Sequence, residues 1–372
     1  MNPINFNNSS KKGNILFVPL DWGLGHITRC IPLINEFRSL GSNIFFAGEN
    51  KAEILLKGDF QDFTFIYKKG YQISYSANRY WFALKIFAQL PGIFISIYNE
   101  HKWLKKVVKK YSINAIISDN RPGLYHGSVP AVYVTHQLGI KAGNSFSEKI
   151  IQRIHFFFIK KFNACWIPDF EGVNNLAGEL SHPANVPNNI TYIGPLSRFM
   201  ITVQRSQLYH LLIILSGPEP QRSIFEKLLL SQIKNHHGNI LFVRGLPEKE
   251  PAKATDADFI AHPNVLLKNH LSAKQLNAAI LQSEMVISRS GYTTVMDLIK
   301  LKQKAILIPT PGQTEQEYLA RYLMQQGFFF TASQQNFVLE QVLKNAAAFP
   351  FSIPSFNMEQ YKNAVSIFVQ SL

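Results

Sequence analysis

Short apolar runs separated by stretches of helical period recur along this chain, and the recurrence happens twice. In the first half, Asn14-Ile-Leu-Phe-Val18, Asn43-Ile-Phe-Phe-Ala47, Ala115-Ile-Ile-Ser118 and Ala131-Val-Tyr-Val134 have strand length and are mostly apolar. Ile27 to Leu40 carries its apolar residues at helical spacing. Near-continuous apolar strands between helices predict a parallel sheet covered on both faces, since a sheet with one wet face would alternate. The pattern restarts at Leu211-Leu-Ile-Ile-Leu215 and continues through Asn239-Ile-Leu-Phe-Val243, Val265-Leu-Leu267, Met285-Val-Ile-Ser288 and Ala305-Ile-Leu-Ile308. The predicted class is α/β, with one Rossmann-like parallel-sheet domain in residues 1–196 and a second in 208–354. Tyr192 to Leu196 and the polar stretch to about Gln207 read as the linker, Lys249 to Asp258 as a polar loop, and 355–372 as a closing helix. Beyond this two-fold recurrence of topology there is no internal repeat.

Length and composition agree with that reading. A chain of 372 residues exceeds one ordinary core. With 46% hydrophobic and 17% charged residues it is globular, and 29 Phe raise the prospect of an apolar surface or groove. Cys30 and Cys165 are the only cysteines, with no Cys/His cluster at zinc spacing, so a reducing cytoplasm is expected rather than a disulfide framework. Met1 to Gly13 is polar and Asn-rich, without the apolar core of a signal peptide. No run reaches the ~18 apolar residues of a spanning helix. The best two are cut by Lys85, Gln89 and Pro91, or by Lys160 and Lys161. A cytoplasmic protein, soluble or peripheral, is expected.

The formal charge of +14 calls for a partner. Nucleic acid is set aside, because no recognition motif is present and the basic residues are not interleaved with base-stacking aromatics. An anionic membrane surface fits better: Trp81-Phe-Ala-Leu-Lys-Ile-Phe87 and Phe94-Ile-Ser-Ile-Tyr98 lead into Lys102-Trp-Leu-Lys-Lys-Val-Val-Lys-Lys110, the pattern of an interfacial helix pair. That would place the chain on the inner face of the cytoplasmic membrane. The alternative is a solvated lysine face on a helix packed against the sheet.

The most specific chemistry lies in the second half. The strand Met285 to Ser288 breaks at Arg289-Ser290-Gly291 and runs into a helix whose first turns hold Thr293, Thr294 and Asp297. Free backbone N–H groups and the dipole at such a helix start favour a phosphate. Asp297, about two turns on, is placed to accept hydrogen bonds from a ribose diol. The next strand opens into a Pro/Gly turn with Gln313, Glu315 and Gln316, side chains able to bond sugar hydroxyls. Phosphate, ribose and hexose sites in that order describe a nucleotide-sugar pocket.

This stretch, Arg-Ser-Gly, then Thr, then an acidic residue, then Pro-x-x-x-Gln-x-x-Gln, resembles the C-terminal domain of two-domain B-fold glycosyltransferases of family 28. That family includes the N-acetylglucosaminyltransferase of peptidoglycan lipid-intermediate synthesis and the plant galactolipid synthases. The resemblance implies two domains facing across a cleft, donor in the second and acceptor in the first, with the closing helix crossing back to the first. It also implies that Ser216-Gly217-Pro-Glu-Pro-Gln-Arg222 takes the place of the family's glycine-rich loop, with Ser216 and Gly217 bonding the diphosphate and Arg222 neutralising it. His270 and Leu271 fall where the family holds the base.

In the first half, Pro19-Leu-Asp-Trp-Gly23-Leu-Gly25-His26 lacks the third glycine of a dinucleotide loop, since position 28 is Thr. It is similar instead to the Gly-x-Gly-His loop of family 28, whose glycines admit donor phosphates or acceptor. His26 is the leading general base, and the alternative is a histidine capping its own helix. Two further strand ends point to the same cleft. Asp119-Asn120-Arg121 offers Asp119 as rival base, and Thr135-His136-Gln137 offers acceptor contacts; an N-cap and a satisfied buried histidine are the bland readings. Thr135-His-Gln-Leu138 departs from the His-Glu-Gln-Asn of the peptidoglycan enzymes, which argues against that substrate. Asp256-Ala-Asp258 spells the D-x-D of metal-dependent transferases but lies in a Lys/Glu/Pro-rich loop, so no metal and no other cofactor is expected. The expected function is inverting, metal-independent transfer of a hexose from a UDP-sugar to a lipid or saccharide hydroxyl. The alternatives are a nucleotide-sugar epimerase or hydrolase, or a non-catalytic nucleotide-sugar-binding protein.

Overall fold

A computed structural model describes residues 13–21, 23–60, 62–70, 79–141, 145–202, 206–234, 236–246 and 263–372, with the side chains of 79–91 and 145–146 also left aside. Two parallel sheets stand one after the other in the chain. The first has seven strands: β1 (Asn14–Pro19), β2 (Asn43–Gly48), β3 (Thr64–Tyr67), β4 (Ala115–Asp119), β5 (Ala131–Val134), β6 (Ala164–Ile167) and β7 (Ile190–Tyr192). Their spatial order is β3-β2-β1-β4-β5-β6-β7. The second has six: β8 (Tyr209–Ile214), β9 (Ile240–Val243), β10 (Val265–Lys268), β11 (Ser283–Ser288), β12 (Ala305–Leu307) and β13 (Phe330–Thr331), in the order β10-β9-β8-β11-β12-β13. All observed strand pairings are parallel, as the uninterrupted apolar runs predicted. Strand order reverses between β1 and β4 and between β8 and β11, the places where open α/β sheets bind ligands.

The helices are α1 (Leu24–Ser39), α2 (Asn50–Asp59), α3 (Arg79–Tyr111), α4 (Ser145–Ile159), α5 (Gln221–Ile233), α6 (Ala273–Leu281), α7 (Tyr292–Leu301), α8 (Thr314–Gln325), α9 (Leu339–Ala347) and α10 (Gln360–Gln370). Their ends follow local chemistry. Ser272 caps α6 in a reciprocal box: its Oγ accepts from the Gln275 N–H at 3.3 Å, and its own N–H donates to Gln275 Oε1 at 2.9 Å. Helix α7 stops at Lys302, whose φ of 51° is left-handed.

Phe37 of α1 is fully buried, edge-on to Phe17 of β1 at 5.6 Å and to Phe368 of α10 at 6.2 Å. Phe368 also meets Trp166 of β6 at 5.6 Å, so the last helix packs on the first domain. A phenylalanine so enclosed is worth about 3–5 kcal/mol over alanine.

Four strands escape a reading by apolar run. β3 is an edge strand with Tyr67 exposed, β6 is only Ala-Cys-Trp-Ile, and β7 and β13 are three and two residues long. Tyr192 belongs to β7, so the linker starts after it. The closing helix begins at Gln360 rather than Ser355. The aromatic and lysine blocks of 81–110 lie on one 33-residue helix, not a pair. Among the described residues no helix is long and apolar enough to cross a membrane.

Candidate active site

Strand β1 ends at Pro19, and the chain turns into α1 through Gly23, whose φ of 92° suits only glycine without strain. His26 follows in the first turn of α1. Because β1 pairs with β4, with Pro19 opposite Asp119, the last residue of β4 lies beneath that turn. His26 Nδ1 is 2.7 Å from Asp119 Oδ1. Arg29, three residues along the same helical face, donates from Nε to Asp119 Oδ2 at 2.5 Å and from Nη2 to Oδ1. Asp119 is fully buried. Burial alone would raise its pKa, but the Arg29 charge and the His26 bond outweigh it and bring it down to about 2.

An ionised Asp119 is acceptor-only, so the proton it receives from His26 sits on Nδ1 and the imidazole lone pair sits on Nε2. Burial first, then the Arg29 charge, lowers the His26 pKa, with Asp119 opposing. His26 is therefore neutral near pH 7, with its basic nitrogen available. Cys30 Sγ stands 3.9 Å from Asp119 Oδ2, and burial pushes its thiol well up, which keeps it protonated.

In the second domain β8 runs into Ser216 and Gly217, both exposed, and Gly217 takes φ of 105° beside Thr310 Oγ1. β11 runs into Gly291, which caps α7 with no side-chain hydrogen bond. The first amides of α7 are therefore without a side-chain cap at the mouth of the β8/β11 crevice. Thr293 and Thr294 lie in that first turn, half-buried. Asp297, one turn on, accepts from Ser197 Oγ at 2.6 Å, and burial lifts its pKa to about 7 against that bond and the Arg198 charge.

The two domains meet at these loops. Thr293 Oγ1 donates to the Gly25 carbonyl at 3.2 Å, and a Cβ on Gly25 would stand 3.0 Å from that oxygen, so glycine permits the approach. Tyr292 stacks flat on His136, centroids 4.2 Å apart, and its hydroxyl donates to the Pro168 carbonyl at 2.8 Å. His136 Nε2 lies 2.8 Å from Glu315 Oε1, and the Gln137 amide donates to the other oxygen of Glu315. Further along α8, Tyr318 Oη accepts from the Glu179 N–H at 2.7 Å and Tyr322 donates to Asn175 Oδ1 at 3.0 Å.

Several expected ligand contacts are corrected by this geometry. Arg121 is buried and bonded to Glu100 Oε1 at 2.6 Å and Asp21 Oδ2 at 2.7 Å, so it balances interior carboxylates rather than facing an acceptor. Arg222 is likewise committed, to Glu219 at 2.7 Å and Glu226 at 2.9 Å, with Arg244 also on Glu226, and is not free to neutralise a diphosphate. Arg289 is buried beneath its turn, donating to the carbonyls of Ile308, Pro309 and Gln221 and lying 4.2 Å from the Phe225 ring. Burial without a carboxylate brings its pKa down to about 10. It staples loop ends together.

Ser290 Oγ is bonded to the Gln316 carbonyl, and Gln316 Nε2 donates to Gln313 Oε1 at 2.6 Å while its Oε1 accepts from the Thr310 N–H at 2.9 Å. These side chains shape the turn that would meet a sugar. Glu315 alone of that group reaches the first domain. Asn120 takes a left-handed φ of 55°, His270 is exposed just before α6, and Leu271 packs on the core. Asp256 and Asp258 lie outside the described residues. Among the described residues no cluster of three or more His, Cys, Asp or Glu is placed to hold a metal. Arg29 was not read from the sequence; its spacing of three from His26 on one helical face was the available signal.

Residues 266–368 match the model of the glycosyltransferase family 28 C-terminal domain. An uncharacterized glycosyltransferase of Methanosarcina acetivorans is 21% identical over 341 residues, 82% of this chain and 80% of that one. Among solved structures, the glycosyltransferase SnogD from Streptomyces nogalater superposes with a TM-score of 0.61 at 13% identity, over 97% of this chain and all of its own. SsfS6 from Streptomyces sp. SF2575, complexed with thymidine diphosphate, superposes with a TM-score of 0.54 at 11% identity, over 97% and 96%. At such identities the structures show shared fold alone. Residues 266–368 thus resemble the glycosyltransferase family 28 C-terminal domain, and the chain shares the two-domain fold of the B-fold glycosyltransferase structures.

Proposed function

We propose that this chain transfers a sugar from a nucleoside-diphosphate sugar to an acceptor hydroxyl, with His26 as general base. The observation that carries the reading is the His26–Asp119 pair, oriented with Nε2 basic and set against the start of α7 through the 3.2 Å Thr293–Gly25 bond. The donor diphosphate lies over the Ser216–Gly217 turn and the first amides of α7, the ribose beside Asp297, and the hexose at the Gln313–Gln316 turn. A solved scaffold of the same fold holds thymidine diphosphate, which supports a pyrimidine nucleoside diphosphate. The ribose diol that Asp297 would bind favours UDP over its deoxy counterpart.

In the proposed step the acceptor oxygen attacks the anomeric carbon while its proton passes to His26 Nε2. The bond from that carbon to the diphosphate oxygen breaks, and the leaving charge is met by backbone N–H groups of α7. One displacement inverts the anomeric centre. Because the helix start supplies the electrostatic stabilisation, the reaction is proposed to run without a divalent ion.

The acceptor is proposed to be presented at an anionic membrane. Phe94, Ile95 and Tyr98 of α3 and Phe157 of α4 are exposed together, with Phe94 against Phe158 at 6.1 Å. Lys102, Lys105, Lys106, Lys109 and Lys110 continue the exposed face of α3, and Lys161 lies over Phe157. Apolar side chains ringed by lysines suit a lipid headgroup layer.

The test is release of UDP from a panel of UDP-sugars, with and without lipid extract, in chelator. Sugar appearing on a lipid supports the reading. Release of free sugar alone points to a hydrolase, and interconversion of donors to an epimerase.

A further inference from the structure

We propose that Arg29 is a positioning residue that ties the His26–Asp119 pair of the first domain to Glu315 of the second through His136, so that the base is fully oriented only while the domains are closed. This rests on His26 being the base. A guanidinium only donates, and Arg29 spends Nε and Nη2 on Asp119 and Nη1 on His136 Nδ1 at 3.1 Å. His136 must then accept at Nδ1, which puts its proton on Nε2, where it donates to Glu315 Oε1 at 2.8 Å. One protonation pattern therefore runs unbroken from His26 through Asp119, Arg29 and His136 to Glu315.

The placement makes this chain of bonds responsive to closure. His26, Arg29, Asp119 and His136 all belong to the first domain, and Arg29 and His136 are almost wholly buried. Besides Arg29, the groups that fix the His136 ring come from the second domain: the Tyr292 face and the Glu315 carboxylate. If the domains part, the ring loses stack and acceptor together and keeps only the Arg29 donation at Nδ1, which still favours the Nε2–H tautomer but does not fix the plane of the ring. With the ring free to turn about that one bond, the Arg29–His136 contact loosens, and Asp119 is held less firmly behind His26. Glu315 is half-exposed at the rim of the crevice, so its release into water is inexpensive and the connection can be reversible.

The experiment uses the full chain labelled with 15N-histidine, with Arg29→Lys, Glu315→Gln and the double variant. The expected spectrum shows His136 as the Nε2–H tautomer and His26 as the Nδ1–H tautomer, and both variants move the His26 resonance. In turnover, each single variant lowers kcat by about tenfold or more, and Arg29→Lys, which lies away from the donor, changes donor KM by less than about threefold. The double variant falls within about threefold of the poorer single, since both break one connection. An Nδ1–H His136, an unmoved His26 resonance in Glu315→Gln, or single effects that simply multiply would overturn the proposal. Should Arg29→Lys not fold, the His26 resonance in Glu315→Gln decides alone. The spectra need no turnover: an inert chain with the expected tautomers would count against sugar transfer, and an active chain without them against the relay.

Discussion

His26 Nδ1 and Asp119 Oδ1 are 2.7 Å apart across the β1/β4 crevice, and the Asp119 carboxylate is clamped from behind by Arg29. That relationship favours His26 over Asp119 as the proposed base. Asp119 is fully buried with its pKa brought down to about 2, so it cannot take a proton near neutrality. His26 can, because burial and Arg29 lower its pKa from 6.5 and only the neutral ring is a base. Activity is lost as pH falls through the folded-state pKa, so the acid limb of kcat/KM should lie below 6.5. A pH–rate profile with its acid limb above that value would contradict the assignment.

Gly25 should resist substitution for a reason outside its own domain. A Cβ there would press on Thr293 Oγ1 at 3.0 Å. Gly25→Ala should hinder closure by roughly 1–3 kcal/mol, lowering turnover about tenfold or more. Thr293→Ala, by removing the oxygen, should restore much of the loss in the double variant. Steady-state rates of the three variants check this, and no rescue would place the effect elsewhere.

Asp297 should make nucleotide binding depend on pH. Its pKa of about 7 leaves it partly protonated at neutrality, and the ionised form is the better acceptor for a ribose diol. UDP affinity measured by calorimetry should tighten as pH rises through that value. Asp297→Asn should keep only the dependence that UDP's own phosphate brings, and Asp297→Ala should weaken binding by roughly 1.5–3 kcal/mol. Identical pH profiles in all three would remove Asp297 from the donor site.

The lysine face of α3 should bind anionic vesicles. With about 1 kcal/mol for each basic residue near the leaflet, sedimentation should favour anionic over neutral liposomes and weaken with salt. Lys105→Glu with Lys109→Glu should abolish the preference. Equal binding to both lipids would make this face a solvated surface.

Where the sequence was legible, a local pattern sufficed. Strands β1, β4, β8 and β11 are apolar on both faces, and their runs stand out without knowledge of neighbours. The two switch-point loops followed from their glycines. The edge strand β3 and the two-residue β13 are too short or too exposed to announce themselves.

Side-chain roles were harder, because residue type states a charge and not its partner. Arg121 reads as an acceptor contact and Arg222 and Arg289 as donor ligands, yet Glu100, Glu226 and three carbonyls claim them. Arg29 reads as an ordinary helix residue until Asp119, 90 positions away, comes to rest against it. Glu315 reads as a sugar ligand, and only the closed fold brings it to His136.

The most direct measurement is the turnover of His26→Ala beside its affinity for UDP. Loss of a general base should lower kcat by roughly 10²–10⁴-fold, while UDP, held by the second domain, binds as to the unaltered chain. A His26→Ala chain that turns over within about tenfold of the unaltered one would contradict the role given to His26.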